Sequence, residues 1–357
     1  MFSQYQQDIR EMQDGDALQA WKAFSLAYWE EPSYGLSDEL QQRLFQAGFL
    51  RSRWALYAME ENRVDGYLSD FQAMRLQAAN ARYQAVMADR VLCSHVLDNY
   101  CRTPQIYAVV NAEEVQWMAP PAWLEEGQAS GALVLHPLQP GWGAFFQRIV
   151  VEGGHFHGSL GEGRSDELVA RVQDRARRHG GAYVLTEQVD QGGFAEGLAP
   201  GHLNLLNVLL VREPHEWRPQ LVAASLLIGR RREDGGEALR VEEGALSASV
   251  DPVSGRITAC KGLEGTSSSV LASFVRHPQA GSQIVGESLP DWSGIREMLM
   301  TFFDESSYLR ACHLSFVLTD EGPSFLAASD GHLAAHQLHR PLLGDPFIAS
   351  HISRLGA

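Results

Sequence analysis

The stretch from Val275 to Trp292, VRHPQAGSQIVGESLPDW, constrains this chain more than any other. His277-Pro278 cannot continue a helix, because proline pushes the residue before it into extended geometry. Gly281 and Gly286 permit left-handed turns. Pro290 follows, two residues before Trp292. The segment reads as a structured loop, against which the flanking helices and strands must be placed.

Residues before about 100 read as helices. Leu18, Trp21, Phe24, Ala27 and Tyr28 recur at helical spacing, as do Leu40, Leu44, Phe45, Phe49 and Leu50, with Pro32 and Gly35 interrupting between them. A further helix starts after Tyr67-Leu68, with Ser69 or Asp70 as its cap. Beyond residue 100 short β-rich runs take over: 106–110, 132–135, 148–151, 182–187, 204–211, 221–228, 245–250, 257–259, 314–318 and 324–327. Helices are expected at 165–179, capped by Ser165 with Asp166 and Glu167 in the first turn, and near 294–303. Strands with interspersed helices, without strict alternation, predict an α+β fold.

The chain has 357 residues, 45% of them hydrophobic, and a formal net charge of -15. That supports a full core and argues against nucleic acid as a partner, since an acidic surface repels phosphate backbones. The basic cluster Arg230-Arg231-Arg232 runs straight into Glu233-Asp234 and reads as a solvated loop. Cys93, Cys101, Cys260 and Cys312 form no metal or redox spacing, and reduced thiols point to a cytoplasmic protein. No signal peptide and no membrane span is expected.

The spacing of His277, Pro278, Gly281, Gly286, Pro290 and Trp292 resembles the sugar-transfer-associated branch of the ATP-grasp superfamily. The resemblance extends at lower density from about Asp65 to the C-terminus. It implies an ATP-grasp-like fold with two β-rich grasp lobes behind a helical N-terminal region. The corresponding divisions are residues 1–84, helical; 85–185, the first grasp lobes; and 186–357, the C-terminal grasp lobe. ATP and magnesium are the cofactors it implies, with a small-molecule or protein ligand in the grasp cleft.

Set against the family pattern, the positions that would bind nucleotide are Arg90, His136, Gly141, Gly143, Glu187, Asn204 and Glu242. Their types have changed. Arg90 and His136 stand where the family has phosphate lysines, and neutral histidine lacks the charge. Glu187 matches the acid beside adenine. In Asn204-Leu205-Leu206-Asn207 the asparagine persists and the family arginine has become Asn207; Glu242-Glu243 replaces an Asp-Asn pair. The magnesium positions read Ser315, Ala327 and Ser329 in place of Asp, Glu and Asn. Hard magnesium requires oxygen ligands, which alanine lacks.

Two histidine groups stand apart. His155 and His157, between glycines, read as part of a hairpin turn. His332, His336 and His339 are spaced to share one helical face behind Asp330. Ser267-Ser268-Ser269 has no nucleophile elbow around it and reads as a loop. Three functional expectations follow: a diverged, non-catalytic binding protein in a biosynthetic pathway; an active ligase forming an acyl phosphate with substituted ligands; or a metal-dependent enzyme using the C-terminal histidines.

Overall fold

The structure, a computed structural model, describes residues 15–60, 64–80, 83–121, 130–139, 147–158, 160–212, 218–266, 268–328 and 333–354. It divides into two compact units, one containing the described residues of 1–84, 191–322 and 329–357, the other those of 85–190 and 323–328. Helices and largely antiparallel sheets make this an α+β fold, as the pattern of runs predicts.

The first unit opens with helices α1 (Gly15–Glu30), α2 (Asp38–Gln46), α3 (Arg53–Leu56) and α4 (Asp70–Ala78). The expected apolar faces meet: Trp21 and Phe24 pack against Phe45 and Phe71. Ser69 caps α4 in a reciprocal box, its Oγ accepting from Gln72 N at 3.2 Å while Gln72 Oε1 accepts from Ser69 N at 3.0 Å. Asp70 is thereby left for another task, described below.

A short helical stretch, Gln84–Ala88, leads into the second unit and precedes α5 (Arg90–Leu97), whose first turn is capped by the Asp89 carboxylate, accepting from Val91 N at 2.9 Å and Leu92 N at 3.0 Å. Its strands are β1 (Ile106–Val110), β2 (Val115–Trp117), β3 (Gly131–Pro137), β4 (Gln147–Glu152), β5 (His155–Gly158), β6 (Gly161–Arg164) and β7 (Tyr183–Glu187). They form an antiparallel sheet in the order β2-β1-β7-β3-β4-β5-β6. Helix α6 (Leu168–His179) lays Leu168, Val172 and Ala176 over Ala108, Leu133, Ile149 and their neighbours. Ser165 does not cap it. The chain enters through a 3-10 turn, Ser165–Glu167, with no side-chain cap bond, and Ser165 N is taken by Gly154 O at 2.9 Å. Gly153 and Gly154 turn β4 into β5, so His155 and His157 belong to the expected hairpin.

Back in the first unit come α7 (Gly193–Leu198), β8 (Asn204–Arg212), β9 (Pro219–Ile228), the short ribbon β10 (Arg230–Arg231) and β11 (Glu237–Ala238), then β12 (Leu246–Val250), β13 (Ile257–Leu263), β14 (Leu271–Ser273), α8 (Trp292–Glu305) and β15 (Ala311–Thr319). Six strands lie in the order β14-β13-β12-β9-β8-β15. β8 is buried at every position, which its run NLLNVLLVR allows because both faces are covered. Strand β16 (Gly322–Ala328) carries the chain into the second unit, and α9 (Leu333–Gln337) and α10 (Pro346–Arg354) complete the first.

The loop from Val275 to Trp292 is held as its sequence demands. His277 accepts on Nδ1 from Ala280 N at 2.9 Å and Gln279 N at 3.3 Å, which leaves Nε2–H to donate to Gly229 O at 3.0 Å. Gly281 and Gly286 adopt φ of 73° and 100°. At the far end Trp292 packs on Gly255, where an added Cβ would lie 2.3 Å from the indole. Only glycine fits there.

Candidate functional site

In the second unit, three of the candidate residues come from α5, β3 and β7. His136, on β3, is 1% exposed and its Nε2 lies 3.1 Å from Thr186 Oγ1. Burial, with Arg90 nearby, pushes its pKa well below the ordinary imidazole value, so it is neutral near pH 7. Arg90, at the start of α5, donates to the carbonyls of Leu326 and Pro137 and is itself lowered to about 10 by burial. Glu187, ending β7, accepts from Arg102 Nη2 at 2.8 Å and Gln105 N at 3.2 Å. Each group is engaged by the chain itself. Gly141 and Gly143 lie outside the described residues.

Asn204 and Glu242 belong to the first unit. Asn204 is fully buried, its Nδ2 donating to Ala195 O at 2.8 Å and His202 O at 3.0 Å, so it pins the turn preceding β8. Glu242 is held by Arg53 Nη1 at 3.7 Å and Arg240 Nε at 3.9 Å.

The strand register places four small polar residues in one row. Ser315 on β15 stands opposite Asn207 on β8, Asn207 opposite Ser225 on β9, and Ser225 opposite Ser249 on β12. Directly opposed residues share a face of the sheet. Ser315 Oγ donates to Asn207 Oδ1 at 2.6 Å, and neither residue has measurable exposure. Asn207 Nδ2 and Ser225 Oγ are buried without a partner among the described residues.

The chain's own helices cover this face. Leu209, Val211 and Ala311, two and four residues along the strands from the polar row and so on its face, sit in one cluster with Leu68, Leu76, Leu333 and Ile348. Ser247 Oγ donates to Ala335 O at 2.8 Å, and His339 Nε2 donates to Ser247 O at 3.0 Å. The C-terminal histidines therefore do not converge. His336 Nε2 meets His313 Nε2 at 3.2 Å while His339 turns to Ser247; α9 spans only Leu333–Gln337, too short to present one histidine face, and His332 is outside the described residues. Among the described residues no group of three or more His, Cys, Asp or Glu side chains could hold a metal ion.

The arginine cluster departs from the solvated-loop expectation at its first member. Arg230 is 4% exposed and donates to the carbonyls of Gly244 at 3.1 Å and Leu263 at 2.7 Å. Arg232 is exposed and pairs with Asp234 at 2.8 Å. A charge network in the first unit does not show in residue spacing. Arg53 and Asp70 are joined at 2.9 Å with 1% and 6% exposure, beside Glu31 and Ser52. Two arginines inside the apolar run Phe49–Met59 were the available signal.

No protein-family model matches the chain, and no curated protein matches it in sequence. Solved structures similar to it include the D-alanine-D-alanine ligase from Bacillus anthracis, at 9% identity over 76% of this chain and 69% of that one, with a TM-score of 0.41. Another is a RimK-domain ATP-grasp protein from Sphaerobacter thermophilus, at 14% identity over 80% of this chain and 69% of that one, TM-score 0.36. A third is D-cycloserine synthetase DcsG, at 11% identity over 95% of both chains, TM-score 0.37. At such similarity the chain's own residues decide what its site can do. No described helix is long and apolar enough to cross a membrane.

Proposed function

We propose that this chain is an ATP-grasp-like protein that has lost phosphate and magnesium chemistry and acts by binding a small-molecule or protein ligand in a biosynthetic pathway. The loop from Val275 to Trp292 suggests sugar transfer as the setting. The scaffold half of this reading is supported by the mutual contacts of His277 with Gly229 and of Trp292 with Gly255. The loss of chemistry is supported by one observation: Ser315 and Asn207, matched to a magnesium aspartate and a phosphate arginine, are bonded to each other inside a closed core.

Magnesium demands an octahedron of oxygen ligands at short range, some of them carboxylates. Ser315 offers a hydroxyl already spent on Asn207, and Ala327 offers a methyl group. These residues do not fit the ion. Substituting Ser315→Asp tests whether the position retains any metal role. A carboxylate there enters a space without exposure, so folding stability should fall by roughly 2–4 kcal/mol. Added magnesium should leave that loss unchanged in a urea melt. Recovery of wild-type stability on adding magnesium would show that the position still faces a metal site.

A further inference from the structure

A pocket of about 730 Å³ opens beside the N-terminal helices, lined among others by Tyr34, Arg51, Trp54, Ala58, Glu60 and Glu242. Its volume falls in the range of small-molecule sites. All its lining residues belong to the first unit, so the proposal below stands apart from the nucleotide reading.

The lining is built. Arg51 is 7% exposed; its guanidinium lies 4.4 Å from the Tyr28 ring centre and 5.1 Å from that of Trp29, and it donates to Glu31 O. Two carboxylates, Glu60 and Glu242, share the wall with it, and Tyr34 and Trp54 add aromatic surface. Behind the wall Glu31 bonds Ser52 at 2.7 Å. The negative charge is felt: burial, then Glu31 and Glu242, push the Tyr34 hydroxyl up to about 12.

The backbone is also held away from its preferred conformations here. Three non-glycine residues among those described have left-handed φ, and two of them, Tyr34 at 51° and Ala58 at 46°, line this pocket. A bulky residue in that region is a genuine outlier, and such strain gathers where a surface is shaped for a ligand.

We propose that this pocket binds a small molecule carrying an ammonium group, the ammonium toward the Glu60 carboxylate and the Tyr34 and Trp54 rings. A carboxylate and aromatic faces both attract a cation, and Glu242, already balanced by Arg53 and Arg240, leaves that charge to Glu60. An amino sugar and a free amino acid share this chemistry.

Calorimetric titration of the full chain with glucosamine and, separately, with lysine distinguishes the two sources. N-acetylglucosamine and Nα,Nε-diacetyl-lysine, which lack the charge, are the paired controls. One charged ligand should bind, and its acetylated partner should bind at least about tenfold more weakly. Glu60→Gln, at an exposed position that does not threaten folding, should weaken the charged ligand by about tenfold and leave the melting temperature unchanged. Absence of heat with both charged ligands, equal binding of charged and acetylated forms, or an unaffected Glu60→Gln protein would each overturn the proposal.

Discussion

Replacing Arg53 with alanine is expected to remove roughly 3–5 kcal/mol of folding stability, a large part of what a domain has. The guanidinium is 1% exposed, bonds Asp70 through Nε at 3.0 Å and Nη2 at 2.9 Å, and reaches Ser52 Oγ at 3.3 Å. Asp70 in turn accepts from Leu50 N at 2.9 Å, so the pair ties α3 and α4 to the turn before α3. Truncating Arg53 strands Asp70 in a dry interior, where an uncompensated carboxylate is far costlier than a missing pair, while Glu242 keeps Arg240. Double replacement, Arg53→Met with Asp70→Asn, should therefore be milder than Arg53→Ala alone. Urea unfolding of the three proteins settles it: a loss under about 1 kcal/mol for Arg53→Ala would mean the charges reach water.

Acid should destabilise the protein well above the range where carboxylates titrate. Burial is the leading cause that lowers His136, His277, His339 and His351, with His339 brought to about 4. Arg90 adds to the effect at His136 and Lys261 at His339. A histidine lowered in the folded state contributes stability that is whole above its unfolded pKa, about 6.5. As pH falls below that value the unfolded chain takes the proton first, and the contribution drains away until the folded pKa is reached. By about pH 5 His339, with its folded pKa at about 4, removes ~2 kcal/mol, and the other lowered histidines add to the loss in the same direction. Glu31, raised by burial, acts in the opposite direction and offsets part of the loss. Urea midpoints should drop between about pH 7 and about pH 5, and His136→Asn should flatten the slope. A midpoint constant across that window would contradict the assigned burial.

The strands were legible because their apolar runs are short, β-rich and bounded by glycine and proline; β8, β9, β12 and β15 fall where those runs stand. The loop at Val275 to Trp292 was legible for a different reason. Its prolines and glycines leave few backbone options, and His277 then fixes the remainder through three hydrogen bonds. Helix boundaries were less so. Ser165 looks like a cap, yet its amide is claimed by Gly154, a partner set by the β4–β5 hairpin. The candidate site shows in the sequence only as changes of residue type. That Asn207 and Ser315 answer each other depends on strand register, which periodicity alone does not give. For Arg230 and Arg53 charge suggests solvent, while their burial rests on carbonyls and an acid far away in sequence. The histidines near the C-terminus looked collinear in helical spacing; the helix that would align them is one turn long.

Calorimetric titration of ATP into the full chain, with and without magnesium, tests the central claim most directly. Neutral, mutually bonded groups at Ser315 and Asn207 leave the triphosphate's charge without a metal to balance it, so magnesium should add no affinity. Binding that strengthens about tenfold or more when magnesium is present would contradict the account and restore an active ligase as the reading of this fold.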